Sequence, residues 1–176
     1  NLELYKLGLK YDLFTQNQVL PHNTFLNIIN TAVYIGQWDW TTGFIEKFES
    51  QLASKTKQDT IHCAWGIWHF SKRNYHQSID YLNKVESKNL NFSLRVKLLT
   101  IRNFYEISFS DKSYGGDFLL AYIEAFEKYL SRNKTLSPDK IKYFLKFCFH
   151  TKKLVRVADF NKISNAEKEQ WLDELN

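Results

Sequence analysis

Apolar residues recur at steps of three and four along nearly the whole chain, a spacing that lines one face of an α-helix and no face of a strand. After Pro21, the residues Phe25, Ile28, Ile29, Ala32 and Val33 form such a face, and Gly36 closes it. Phe44, Ile45, Phe48 and Leu52 mark a second helix. Asp59 reads as the N-cap of a third that carries Ile61, Ala64, Trp65 and Trp68. Ser78, Leu82 and Val85 indicate a fourth, and Leu94, Leu98, Ile101 and Tyr105 a fifth. Gly115 and Gly116 interrupt the pattern before Phe118, Tyr122, Ala125, Phe126 and Tyr129 resume it. Ser137, Pro138 and Asp139 make a strong start for a helix bearing Ile141, Phe144, Leu145, Cys148 and Phe149. Ser164 and Glu167 have the spacing of a capping box ahead of Trp171, Leu172 and Leu175. The opening segment, with Leu4, Leu7, Gly8 and Tyr11, reads as a helix too, and only residues 154–158 allow a short extended piece.

The expected fold class is therefore all-α. About eight helices joined by short linkers favour antiparallel neighbours. An internal repeat turns that expectation from a bundle toward a solenoid. Setting Trp38 against Tyr75 pairs Thr41 with Ser78, Phe44 with Tyr81, Ile45 with Leu82 and Phe48 with Val85, an offset of 37 residues. That is the length of one helical hairpin.

The stretch at 72–82 resembles the turn and second helix of tetratricopeptide repeats, with the aromatic Tyr75 in the turn and the small Ser78 three residues on. Gly66 falls where that family carries the glycine of its first helix, and Gly36 matches its turn glycine. Trp65 and His69 replace the usual Leu and Tyr, Ser78 and Thr41 stand for Ala, and the closing Pro is missing. The resemblance covers residues 22–131, with flanking helices at 1–20 and 137–176. Residues 92–131 are too long for the consensus hairpin. Residues 38–45 and 129–134 are also similar to uncharacterised bacterial helical-repeat proteins. The resemblance implies one helical-repeat domain over 1–176, a short α-solenoid of stacked antiparallel hairpins. It also implies a groove lined by the first helix of each hairpin, here Leu26, Asn30 and Val33, then Thr60, Cys63, Ile67 and Phe70. These positions lack the Lys/Asn clamp with which some members hold a C-terminal carboxylate.

Composition narrows the class. With 44% hydrophobic and 24% charged residues the chain is neither disordered nor membrane-spanning, and 6 Gly with 2 Pro are few for a turn-rich β protein. No apolar run reaches the about 18 residues of a membrane helix, so no membrane partner is expected. Methionine is absent even at position 1, which suggests a piece cut from a longer protein. Cys63 and Cys148 fit two small core residues in a reducing, cytoplasmic setting, although a disulfide between them stays open.

Residues that could carry chemistry are scattered. His62, His69 and His76 are spaced by seven; His62 and His69 share a helix face two turns or about 10 Å apart, too far to share a metal, and His76 falls beyond the turn, where the spacing does not place it. No phosphate-binding glycine loop, zinc motif or nucleophile elbow occurs, so the chain is expected to be non-catalytic, with no cofactor. Trp38, Trp65 and Trp68 fit a core between hairpins, whereas Trp40 is expected to point outward. The strongest functional signal is charge. Residues 128–156 hold nine Lys or Arg against the single acid Asp139. Lys142, Lys146, His150 and Lys153 share one helical face, opposite Ile141, Leu145 and Cys148 and flanked by Tyr143 and Phe147. The leading expectation is a protein-interaction scaffold whose groove takes an unknown protein or peptide. The alternative is weak nucleic-acid or acidic-partner binding through the basic stripe at 128–156.

Overall fold

In the computed structural model the described residues are 2–87, 89–110 and 116–158. They fold into helices α1 (Leu2–Lys10), α2 (His22–Tyr34), α3 (Trp38–Phe48), α4 (Lys57–Ser71), α5 (Tyr75–Leu82), α6 (Leu90–Ser110), α7 (Gly116–Arg132) and α8 (Pro138–Ala158). A 3-10 turn, Glu49–Gln51, follows α3. Among these residues there is no β-strand, only an isolated bridge between Gln16 and Val19. The chain divides into two compact units, Asn1–Asn103 and Phe104–Asn176.

In the first unit, α2 packs on α1, α3 and α4, and α4 packs closely on α5. The turns that close α2 and α4 are built alike. Gly36 and Arg73 both take a left-handed backbone, at φ 75° and 60°. Gln37 N–H donates to the Ala32 carbonyl at 3.0 Å and Gly36 N–H to Val33 at 3.1 Å. Asn74 N–H donates to His69 at 2.9 Å and Arg73 N–H to Phe70 at 3.0 Å, the same bonds 37 residues on. These are Schellman closures that satisfy the last carbonyls of each helix. The residues that then open α3 and α5 are Trp38 and Tyr75, and the small residues three further, Thr41 and Ser78, are fully buried.

Gly66 lies where α4 meets α5. A Cβ there would stand 2.8 Å from a Leu82 methyl, and Ser78 Oγ donates to the Gly66 carbonyl at 2.7 Å. Asn103 Nδ2 donates to that Ser78 oxygen at 3.0 Å and to the Leu99 carbonyl at 2.8 Å. A buried hydroxyl thus joins three helices where an alanine would have left a methyl. Around it, Phe25, Leu26, Ile29, Phe44, Ile45, Cys63, Ala64, Leu82 and Phe92 fill the core.

In the second unit, α7 and α8 pack together over Leu119, Ile123, Phe126, Leu130, Cys148 and Val155. Gly116 begins α7, and a Cβ on it would come within 2.9 Å of Val155 Cγ1.

Several expectations shift. Asp59 does not cap α4, which starts earlier at Lys57. Instead Asp59 sits in the first turn, where its carboxylate favours the positive helix end and accepts the Glu86 N–H at 2.9 Å. Leu52 and Val85 lie just past α3 and α5. Residues 154–158 are helical rather than extended, because Val155 continues the buried row of Cys148 and Thr151. The capping box at Ser164 and the helix expected after it lie outside the described residues.

Candidate functional site

In the first unit, the C-terminal halves of α2 and α4 and the middle of α6 enclose a hollow of about 550 Å³. Asn30, Thr31, Val33 and Tyr34 line it from α2; Ile67, Phe70 and Ser71 from α4; Leu99 and Arg102 from α6. Four of the seven expected groove residues, Asn30, Val33, Ile67 and Phe70, are among them. Leu26, Thr60 and Cys63 are not: they are 0–1% exposed, one or two turns earlier on the same stripes. At that end the start of α6 lies against α2. Phe92 stacks on His22 at 4.9 Å, and Arg95 Nη2 donates to Asn27 Oδ1 at 3.4 Å. Thr60 spends its hydroxyl inside α4, donating to the Thr56 carbonyl at 2.6 Å. Burial, with a smaller contribution from Asp59, pushes the Cys63 thiol up to about 12, against the opposing pull of Arg95. A thiol so protonated is a packing group and not a nucleophile.

The open end carries residues that the sequence alone did not single out. Tyr34 is 90% exposed on the last turn of α2, and the Arg102 guanidinium lies 4.5 Å from the Phe70 ring centroid. An apolar floor of Val33, Ile67, Phe70 and Leu99 is therefore rimmed by an amide, hydroxyls and one cation. The sign that could have revealed Tyr34 is its place on α2 away from the row Phe25, Ile28, Ile29 and Ala32, since a large aromatic there has no core to enter. Leu99 and Arg102 needed the course of α6, which no local pattern supplies.

In the second unit, Lys142 and Lys146 of α8 are exposed, and His150 and Lys153 are half-buried. Lys153 Nζ lies 4.6 Å from the Phe149 ring centroid. Lys152, counted within the stripe, forms an ion pair with Glu127 of α7 at 2.7 Å. The apolar side of α8 is rotated from its expected place. The buried row is Cys148, Thr151 and Val155, while Leu145, Tyr143 and Phe149 are exposed, the last two at 71% and 48%. Leu145 and Phe149 therefore do not lie on a core face opposite the lysines; this surface mixes cations with aromatic rings. On α7, Lys128, Tyr129 and Arg132 border a hollow of about 380 Å³.

The remaining candidates have local partners. His62 Nδ1 lies 3.1 Å from the Lys84 carbonyl, and His69 stacks on Tyr81 at 5.2 Å and meets Trp68 edge-on at 5.0 Å. Among the described residues no three His, Cys, Asp or Glu side chains gather as a metal site. Both cysteines are buried free thiols. Among the described residues no helix is long and apolar enough to cross a membrane. Comparison with known proteins gives no match to any family model, curated protein or solved structure.

Proposed function

We propose that the chain is a non-catalytic interaction scaffold, a short solenoid of tetratricopeptide-like hairpins whose groove between α2, α4 and α6 holds a segment of a partner protein. The observation that carries this reading is the 90% exposed Tyr34 beside the apolar floor of that groove. A large ring left in water at the edge of an apolar hollow has the character of a binding hot spot, with tyrosine and arginine the residue types most often found there. A side chain of the partner enters over Val33, Ile67 and Leu99, and Tyr34 closes on it. Arg102, already held on Phe70, offers a planar donor to a carbonyl or carboxylate of the same segment.

Affinity capture from lysate, with and without nuclease, tests this role. The wild-type chain retains a discrete protein that survives nuclease, and Tyr34→Ala with Arg102→Ala loses it. Capture unaffected by the double change, or abolished by nuclease alone, overturns the proposal.

A second reading rests on the exposed Tyr143 and Phe149 among Lys142, Lys146 and Lys153. Rings between cations suit single-stranded nucleic acid, whose bases stack while the lysines meet phosphates. An acidic protein surface is the other partner this face would fit.

A further inference from the structure

Trp40, the one tryptophan expected to point outward, leads to a cleft that neither reading uses. It opens between α1 and α3 and measures about 670 Å³, within the range of small-molecule sites. Trp40 stacks on Phe44 at 5.3 Å and 15°, and Phe44 meets Phe48 at 5.0 Å, so one wall is a ladder of rings. The rim is cationic, with Lys6 and Lys10 from α1 and Lys47 from α3, and no acid lines the cleft. Lys6 Nζ lies 5.5 Å from the Trp40 ring centroid and is held by Glu3 at 2.8 Å. Among the described residues neither Lys10 nor Lys47 is ion-paired; each rests near a ring, Tyr11 at 5.5 Å and Phe48 at 5.3 Å.

Gly43 supplies an independent observation. It sits inside α3, where glycine is a poor helix former. It does not take the left-handed backbone that would require glycine, and a Cβ built on it meets nothing within 4 Å. Packing and backbone conformation therefore do not explain a glycine at this position. What it does is keep the wall bare between Trp40 and Lys47, since any side chain there would stand in the cleft.

We propose that the cleft between α1 and α3 binds an organic anion with a flat ring, the ring lying against Trp40 in the space left by Gly43 and the anionic group held by Lys10 and Lys47. Stacking on the tryptophan places the ring, and the cations are matched by charge-assisted hydrogen bonds to a carboxylate, sulfonate or phosphate oxygen. No groove residue lines this cleft, so the proposal stands apart from the scaffold role.

Calorimetric titration with 2-naphthoate tests it, with 2-naphthamide as the uncharged ring and cyclohexanecarboxylate as the charge without a flat ring. Expected is saturable one-to-one binding of 2-naphthoate, at least tenfold tighter than either control. Gly43→Leu should abolish it by filling the cleft, and Lys10→Glu with Lys47→Glu should weaken it at least tenfold. Trp40→Leu serves as a second variant, and circular dichroism checks that each one remains helical. Tyr34→Ala with Arg102→Ala should leave this binding unchanged. No saturation below about 1 mM, equal binding of the amide, or full affinity in a folded Gly43→Leu protein would each overturn the proposal.

Discussion

At the scale of single residues, glycine and left-handed positions carry the clearest consequences. Gly66 has no room for a side chain against Leu82. Gly66→Leu should cost about 1–3 kcal/mol by overpacking, read as a lowered urea midpoint with an unchanged slope. A neutral result would place the α4–α5 contact elsewhere. Arg73 holds the left-handed turn that Gly36 holds one hairpin earlier, a conformation costing a side-chain-bearing residue about 1–2 kcal/mol. Arg73→Gly should therefore stabilise the chain, by up to about 1 kcal/mol after the extra entropy of glycine in the unfolded state is offset. A loss of stability there would mean that the arginine side chain contributes more than the strain it bears.

Titrating residues set a pH window of stability. Burial lowers the pKa of His69 and, with Arg95, that of His22, below the ordinary 6.5. The unfolded chain then takes up these protons first, so their contribution is full above about pH 6.5 and is lost as the pH falls. Cys63 acts in the opposite sense. Its thiol keeps the proton to about 12 when folded, so stability present below the ordinary 9.0 declines as the pH rises beyond it. Urea midpoints should be highest near pH 7.5 and lower at 5.5 and 9.5, and Cys63→Ala should flatten the alkaline side. An unchanged alkaline slope in that variant would assign the loss to other groups.

At the scale of elements, the helices were legible because apolar spacing is a local property. Gly36 and the pair Trp38 and Tyr75 announced the turns, and with them the 37-residue offset. The misplacements have one physical source: a side chain with two possible destinations. Asp59 could cap a helix or bond across to Glu86, and the second occurs. Leu145 and Phe149 sit at helical spacing from Ile141, but Thr151 and Val155 sit at helical spacing from Cys148, and the core of the second unit takes the latter row. That rotation changes what α8 offers: beside the lysines and the expected ring of Tyr143 it exposes Leu145 and Phe149 as well. Lys142→Glu with Lys146→Glu should alter stability by no more than about 0.5 kcal/mol, as surface changes do. If α8 binds single-stranded nucleic acid, affinity should fall with log salt at about −0.7 per phosphate contact, and the double change should reduce that slope. An unchanged slope would remove phosphates as its ligand.

At the scale of the molecule, what escaped the sequence was the course of α6. Its first turns meet α2 through Phe92 on His22 and Arg95 on Asn27, and its middle supplies Leu99 and Arg102 to the hollow. Residues 92–131 gave no consensus register from which to place it, so the sequence could not tell which residues of the expected stripe line the hollow and which are buried beside it. The exposed ring at its open end then gives the scaffold account its sharpest test. Once a nuclease-resistant partner is captured, its affinity should be measured by titration against the wild-type chain, the Tyr34→Ala/Arg102→Ala variant and the Lys142→Glu/Lys146→Glu variant. The account predicts at least a tenfold loss in the first variant and none in the second. Full affinity without Tyr34 and Arg102, or a loss confined to the α8 variant, would contradict it.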